Sequence, residues 1–184
     1  MSPGDDRPDL LDRLAAWAAS ARVDDGVASR ERERWLRRAA DEGASFTGVL
    51  LDLAERGAPV VVATTAGRRH RAVVEAVGAD FAGLRLQSGA EVLIATAGIA
   101  WVRQEARADR AVGDRAPGVL ATFAEALAAL AEDHPRVLVV PVAGDGVAGE
   151  LRSVGRDVVT LRLDADGRPS VYVPLPAISE VSST

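Results

Sequence analysis

The sequence contains no cysteine, no lysine and few aromatic residues: three Trp, three Phe and one Tyr in 184 positions. Without cysteine there is no disulfide, no thiolate chemistry and no cysteine-based zinc site, and a reducing cytoplasm is the default setting. The two histidines, His70 and His134, do not have the spacing of a metal pair. Serine and threonine are scattered, with no nucleophile elbow. Gly144-Asp145-Gly146 reads as a hairpin turn, and no phosphate-binding loop follows it. The longest apolar runs fall far short of the roughly 18 residues a membrane helix needs. Met1 to Asp9 is acidic and polar, unlike a signal peptide.

Positive charge is also scarce. All 22 basic residues are Arg, against 27 acids, for a net charge of −5. Residues 1–44 hold 8 Arg and 10 acids, residues 45–103 hold 6 and 5, and residues 104–184 hold 8 and 12. No segment is strongly basic, which argues against a large nucleic-acid footprint even though Arg suits phosphate. These shortages together point away from an enzyme and imply no cofactor and no membrane.

What the chain does have is a long internal match. Val77-Gly78-Ala79-Asp80 through Leu84-Arg85-Leu86 returns as Val154-Gly155-Arg156-Asp157 through Leu161-Arg162-Leu163, an offset of 77 residues. Residues 45–86 lie on 122–163 without a gap, with 15 identities over 42 positions. Beyond a two-residue insertion, Val92, Ile99 and Val102 fall on Val171, Ile178 and Val181. A single register held through helix, turn and strands is the signature of a repeated supersecondary unit.

Read in order, Leu10, Leu11, Leu14, Trp17 and Ala18 recur at helical spacing, capped by Asp9. A second helix runs from about Ala28 to Glu42, and its run Arg30-Glu31-Arg32-Glu33-Arg34, alternating in sign, marks solvated surface with local ion pairs. Ser45 caps a third helix with Phe46, Val49, Leu50, Leu53 and Ala54 on one side, and Gly57 stops it. Five short strands are expected at 59–65, 71–77, 80–87, 91–95 and 99–103. Residues 104–117 lack periodicity and read as a linker. A helix capped near Pro117 or Thr122 and ended by His134-Pro135 follows, then strands at 136–142, 147–154, 157–164, 170–174 and 177–181. The expected class is α+β: a helical N-terminal segment (1–44), a helix-plus-five-strand unit (45–103), the linker (104–117) and a second such unit (118–184).

A helix followed by five short bent strands, with turn glycines at Gly67 and Gly144 and the Ile99/Val102 and Ile178/Val181 pairs in the last strand, resembles the Sm-like (LSm) small barrel, Hfq type. It also resembles bacterial two-barrel proteins. The resemblance covers residues 45–182 and implies two tandem Sm-like barrels. It also implies that neighbours dock by strand addition on the open fourth and fifth strands, and that two barrels in one chain can pair edge to edge. The loops that bind RNA in Sm rings carry a stacking aromatic and basic residues. Here they read Val77-Gly78-Ala79, Ala95 to Gly98, Val154-Gly155-Arg156 and Pro174-Leu175-Pro176, where only Arg156 could reach a phosphate. Tyr172, a lone tyrosine on a strand, reads as half-buried packing.

The candidate contacts for a nucleic acid or a protein partner are Arg34, Arg37 and Arg38 on the second helix, the cluster Arg68-Arg69-His70-Arg71, and Arg156. The cluster is the one dense basic patch in residues 45–184. It reads either as an anion or partner contact or as a solvated hairpin tip that protects an edge. The expected function is a non-catalytic, cytoplasmic scaffold that associates with a protein partner or with itself through strand edges and a helical face. The alternative is an RNA- or DNA-binding regulator acting through the arginines.

Overall fold

The computed structural model describes residues 32–36, 38, 42–105, 113, 120–165 and 167–183. The chain divides into two compact units, Met1–Gly43 and Ala44–Thr184. In the first unit residues 32–36, 38 and 42 are helical. The helix expected over 10–21, the rest of the one expected over 28–42, and residues 106–112 and 114–117 of the expected linker lie outside the described residues.

The second unit begins with helix α1 (Phe46–Glu55). Ser45 starts it, its side-chain oxygen accepting from the Gly48 N–H at 3.0 Å. Leu50 and Leu53 face inward at 1% and 2% exposure. Gly57, at φ 57°, ends it in the left-handed region that a glycine enters freely. Strands β1 (Pro59–Thr64), β2 (Arg69–Val77), β3 (Phe81–Leu86), β4 (Glu91–Ala95) and β5 (Ile99–Gln104) follow. Helix α2 (Phe123–Ala131) carries a capping box: Thr122 Oγ1 accepts from the Glu125 N–H, and the Thr122 N–H donates to Glu125 Oε2 at 2.7 Å. Strands β6 (Arg136–Pro141), β7 (Val147–Val154), β8 (Val158–Arg162), β9 (Ser170–Pro174) and β10 (Ile178–Ser183) complete the unit.

All ten strands belong to one antiparallel sheet, in the order β5-β1-β2-β3-β4-β10-β6-β7-β8-β9. This overturns the expectation of an α+β chain with two tandem five-stranded Sm-like barrels. The fold is mostly strand, with short helices, and the sheet is open. The reason is a pairing choice. β4 does not close on β5 of its own half; it pairs with β10, with Ile94 opposite Glu180, Leu93 opposite Val181 and Val92 opposite Ser182. A strand edge left bare is a template for another strand, and here the second half of the chain supplies it.

Within each half the pairing follows one plan. β1 lies between β5 and β2, and β6 lies between β10 and β7. Val60 and Val62 on β1 and Val137 and Val139 on β6 are all fully buried, each worth about 1.5–3 kcal/mol by removal of apolar surface from water. One apolar cluster is built from α1 and β1 to β4, around Leu50, Val62, Val74, Leu84 and Ile94. The other, around Leu127, Val139, Leu151 and Leu161, also takes in Phe81 from the first half. The Phe81 and Phe123 rings sit 6.0 Å apart. The Asp80 carboxylate accepts from the Phe123 N–H at 2.6 Å, so a loop of the first half caps the helix of the second. The halves therefore interlock through core, cap and sheet.

Candidate functional site

The β4–β10 joint brings a charged cluster into the interior. Glu180 is 1% exposed on β10, a strand whose first four residues are all buried. Its Oε2 lies 2.8 Å from His70 Nε2, and its Oε1 lies 3.0 Å from Arg68 Nε. His70 is buried on β2, while the Arg68 side chain reaches in from the β1–β2 turn at 41% exposure. Buried acidic side chains persist only when paired and hydrogen-bonded, and two donors from the first half satisfy this one. Next to it the 3₁₀ turn Thr96–Gly98 packs on β10. A Cβ on Gly98 would come within 2.7 Å of the Ser179 carbonyl oxygen, so the joint closes only because residue 98 has no side chain.

The dense basic patch seen in the sequence is thus not one patch in space. Arg68 and His70 turn toward Glu180. Arg71 pairs with Glu105 at 3.1 Å. Arg69 lies with its guanidinium 5.7 Å from the Trp101 ring centroid, a cation–π contact. His70 is buried, where a solvated hairpin tip had been one reading of it. Arg156 is exposed at the rim of a cleft of about 370 Å³ lined by Asp80, Phe123, Leu175 and Ile178. Arg34 and Arg38 are exposed in the other unit, and Arg37 lies outside the described residues.

The joint leaves two strands with one open side each. Among the described residues β5 pairs only with β1, and β9 only with β8. Each shows an aromatic residue to solvent: Trp101 on β5 at 40% and Tyr172 on β9 at 68% exposure. The half-buried packing expected of Tyr172 is therefore corrected: no strand lies beyond β9 to cover it among the described residues. Pro174 ends β9, a position open to proline because an edge strand has no ladder bond to lose on its outer side. On β5, the Gln104 Nε2 is buried and has no hydrogen-bond partner.

Sequence reasoning missed Glu180 and Trp101; it expected the two halves to pair edge to edge, and the strands that meet are β4 and β10. The available signal was a glutamate inside the apolar run Ile178 to Val181, at the position where the first copy carries Trp101. No helix among the described residues is long and apolar enough to cross a membrane. No protein-family model, no curated protein and no solved structure matches this chain.

Proposed function

We propose that the protein is a non-catalytic scaffold that assembles with a protein partner through its two open strand edges, β5 and β9. The observation that carries this reading is that, among the described residues, β5 and β9 each have one unpaired edge and an exposed aromatic residue. Soluble proteins usually blunt such edges with charge, and an aromatic on an edge favours strand addition.

The arginines speak for the scaffold rather than for a nucleic-acid regulator. Arg68, Arg71, Arg85, Arg136 and Arg152 each hold a carboxylate of this chain. Phosphate binding would have to break those pairs, and it would weaken steeply with salt.

Light scattering coupled to size exclusion, over a wide concentration range, tests the reading. The expected result is concentration-dependent assembly of the wild-type chain that is lost in Tyr172→Lys and in Trp101→Lys. A strictly monomeric chain at high concentration, or assembly indifferent to both lysines, overturns it.

A further inference from the structure

We infer that the face of β5, β1 and β2 turned away from the core docks an acidic, extended segment of a partner protein, whose carboxylates at alternate positions meet Arg69 and Arg103 beside the Trp101 ring. The site lies on a face of the sheet and not on an open edge, so it goes beyond strand addition and does not depend on it.

The pairing registers build this face. Val60 and Val62 of β1 lie in the core, so Val61 and Ala63 point to the opposite side of the sheet. Val61 stands between Arg103 on β5 and Arg71 on β2, and Ala63 between Trp101 on β5 and Arg69 on β2. Two rows result, Arg103–Val61–Arg71 and Trp101–Ala63–Arg69, two residues or about 7 Å apart along the strands. The long side chains of β2 lean across the short ones of β1. Arg69 sets its guanidinium 5.7 Å from the Trp101 ring centroid, and Arg71 reaches Glu105 at 3.1 Å. Val61 and Ala63, in the middle, are 5% and 6% exposed. The surface offered to a partner is therefore guanidinium and indole on an apolar floor.

Its charge is unbalanced. Three arginines face one carboxylate, Glu105, and Arg71 takes it. Among the described residues neither Arg69 nor Arg103 holds a carboxylate, although both are exposed. Arg68, Arg85, Arg136 and Arg152 are by contrast all paired within the chain. Tryptophan and arginine are the residue types that most often anchor protein interfaces, and clustered arginine is the usual reader of acidic motifs. A guanidinium meets a carboxylate with two parallel hydrogen bonds, which adds direction to the attraction.

The spacing of the rows sets the form of the ligand. An extended segment shows every second side chain to one face, at intervals of about 6.4–6.8 Å. That is the separation of the two rows. Carboxylates at positions i and i+2 would fall one on each row, at Arg69 over the indole and at Arg103. A phosphate chain fits less well, because the positive stretch ends after two rows. Beyond Arg71 the same face carries Val73 and then Arg85, which is flanked by Glu75 and Glu91. A nucleic-acid strand running on would meet those two carboxylates, and two free guanidiniums are few for binding driven by phosphate.

The probe is a fluorescent hexapeptide of alternating Glu and Val, titrated at low salt into the full chain and read by anisotropy, with the Trp101 indole resonance as locator. The peptide is expected to bind and to move that resonance, and its Gln-Val counterpart is not. Arg103→Glu should weaken binding roughly 10-fold or more, and Arg69→Ala should weaken it too. Arg156→Glu, at the exposed arginine of the other half, should leave it unchanged. Arg103→Ala repeats the test with a milder change if Arg103→Glu melts early. No binding of the Glu peptide, equal binding of the Gln peptide, or binding indifferent to the changes at Arg103 and Arg69 overturns the inference. So does a uridine oligonucleotide that moves the Trp101 resonance where the peptide does not. Arg103→Glu keeps the backbone edge of β5. If the peptide fails while the chain still assembles with concentration, only this inference falls; if assembly is absent while the peptide binds, only the edge reading does.

Discussion

Replacing Glu180 with alanine is the most direct way to test what holds the ten strands together. The substitution removes a carboxyl group that is 1% exposed and leaves two donors without their acceptor. The two losses are unequal. Arg68, with its side chain 41% exposed, can turn to water, so its share is that of a surface pair, about 0–1 kcal/mol. His70 is 7% exposed and has no such exit. Leaving a buried donor without its acceptor costs about 1–3 kcal/mol, and the same range is expected here. In a chain of this length each kcal/mol moves the melting temperature by about 2–4 °C, so Glu180→Ala should melt about 2–12 °C below wild type. The double variant Glu180→Met with His70→Leu removes both polar groups and keeps the volume, and it should lie within about 1 kcal/mol of wild type. Scanning calorimetry on the full chain, with Arg68→Ala as the mild control, measures all of these. A loss below about 2 °C for Glu180→Ala would show that the cluster does not hold the joint. So would a double variant worse than the two singles combined.

Other substitutions probe the remaining ties. Asp80→Ala removes the acceptor of the Phe123 N–H at the start of α2, beside the Thr122 cap, and should cost about 1 kcal/mol, read by urea denaturation, even though residue 80 and the helix lie in different halves. Gly98→Ala sets a Cβ against the Ser179 backbone, so β10 must shift, and amide exchange at the β4–β10 pairs should speed up where exchange in β7 and β8 does not. His134 sits at φ 49° at the end of α2, where Gly57 stands after α1; His134→Gly should therefore stabilise the chain by about 0.5–1 kcal/mol in thermal melts. The backbone and hydroxyl hydrogen bonds from Thr122 hold the Glu125 carboxyl below the usual carboxylate range. A group depressed on folding stabilises above its unfolded pKa and loses that contribution as pH falls through the folded value. Acid titration of helicity should accordingly show wild type losing its advantage over Glu125→Ala below about pH 4.

Much of the local structure was legible because its causes are local. Ser45 and Thr122 cap helices through neighbouring N–H groups, Gly57 and the His134-Pro135 step end them, and β-branched runs such as Pro59-Val60-Val61-Val62 make strands. In the structure Val102 on β5 lies opposite Val62 on β1, and Val181 on β10 lies opposite Val139 on β6. What could not be read was which edge each fourth strand meets. The β4–β10 joint holds a buried carboxylate whose partner groups are distant in sequence. Those groups, Arg68 and His70, come from a hairpin more than a hundred residues away from Glu180. The arginine cluster was read as one patch because its members are consecutive. On a strand, consecutive side chains alternate between faces, so Arg69 and Arg71 point away from His70.

The placement of charge then bears on how the sheet avoids pairing wrongly. A sheet built from two similar halves has four fourth- and fifth-strand edges that could mate in several ways, and the backbone pairing energy barely separates them. A buried carboxylate separates them sharply, because it is tolerable in one seam and costly in any other. Glu180 finds Arg68 and His70 only when β10 sits beside β4 of the same fold. Set instead in the second half's own seam, it would face Val147 and Asp145, which stand 77 residues on from His70 and Arg68. The charged cluster is thus better understood as choosing the partner than as strengthening the contact. Exchanging Glu180 with its counterpart in the first copy, with Trp101→Glu and Glu180→Trp in one chain, should leave hydrophobic content nearly unchanged yet misassemble the sheet. Loss of the cooperative melting transition is the expected readout, and a native-like melt of that swapped chain would show that shape alone decides the pairing.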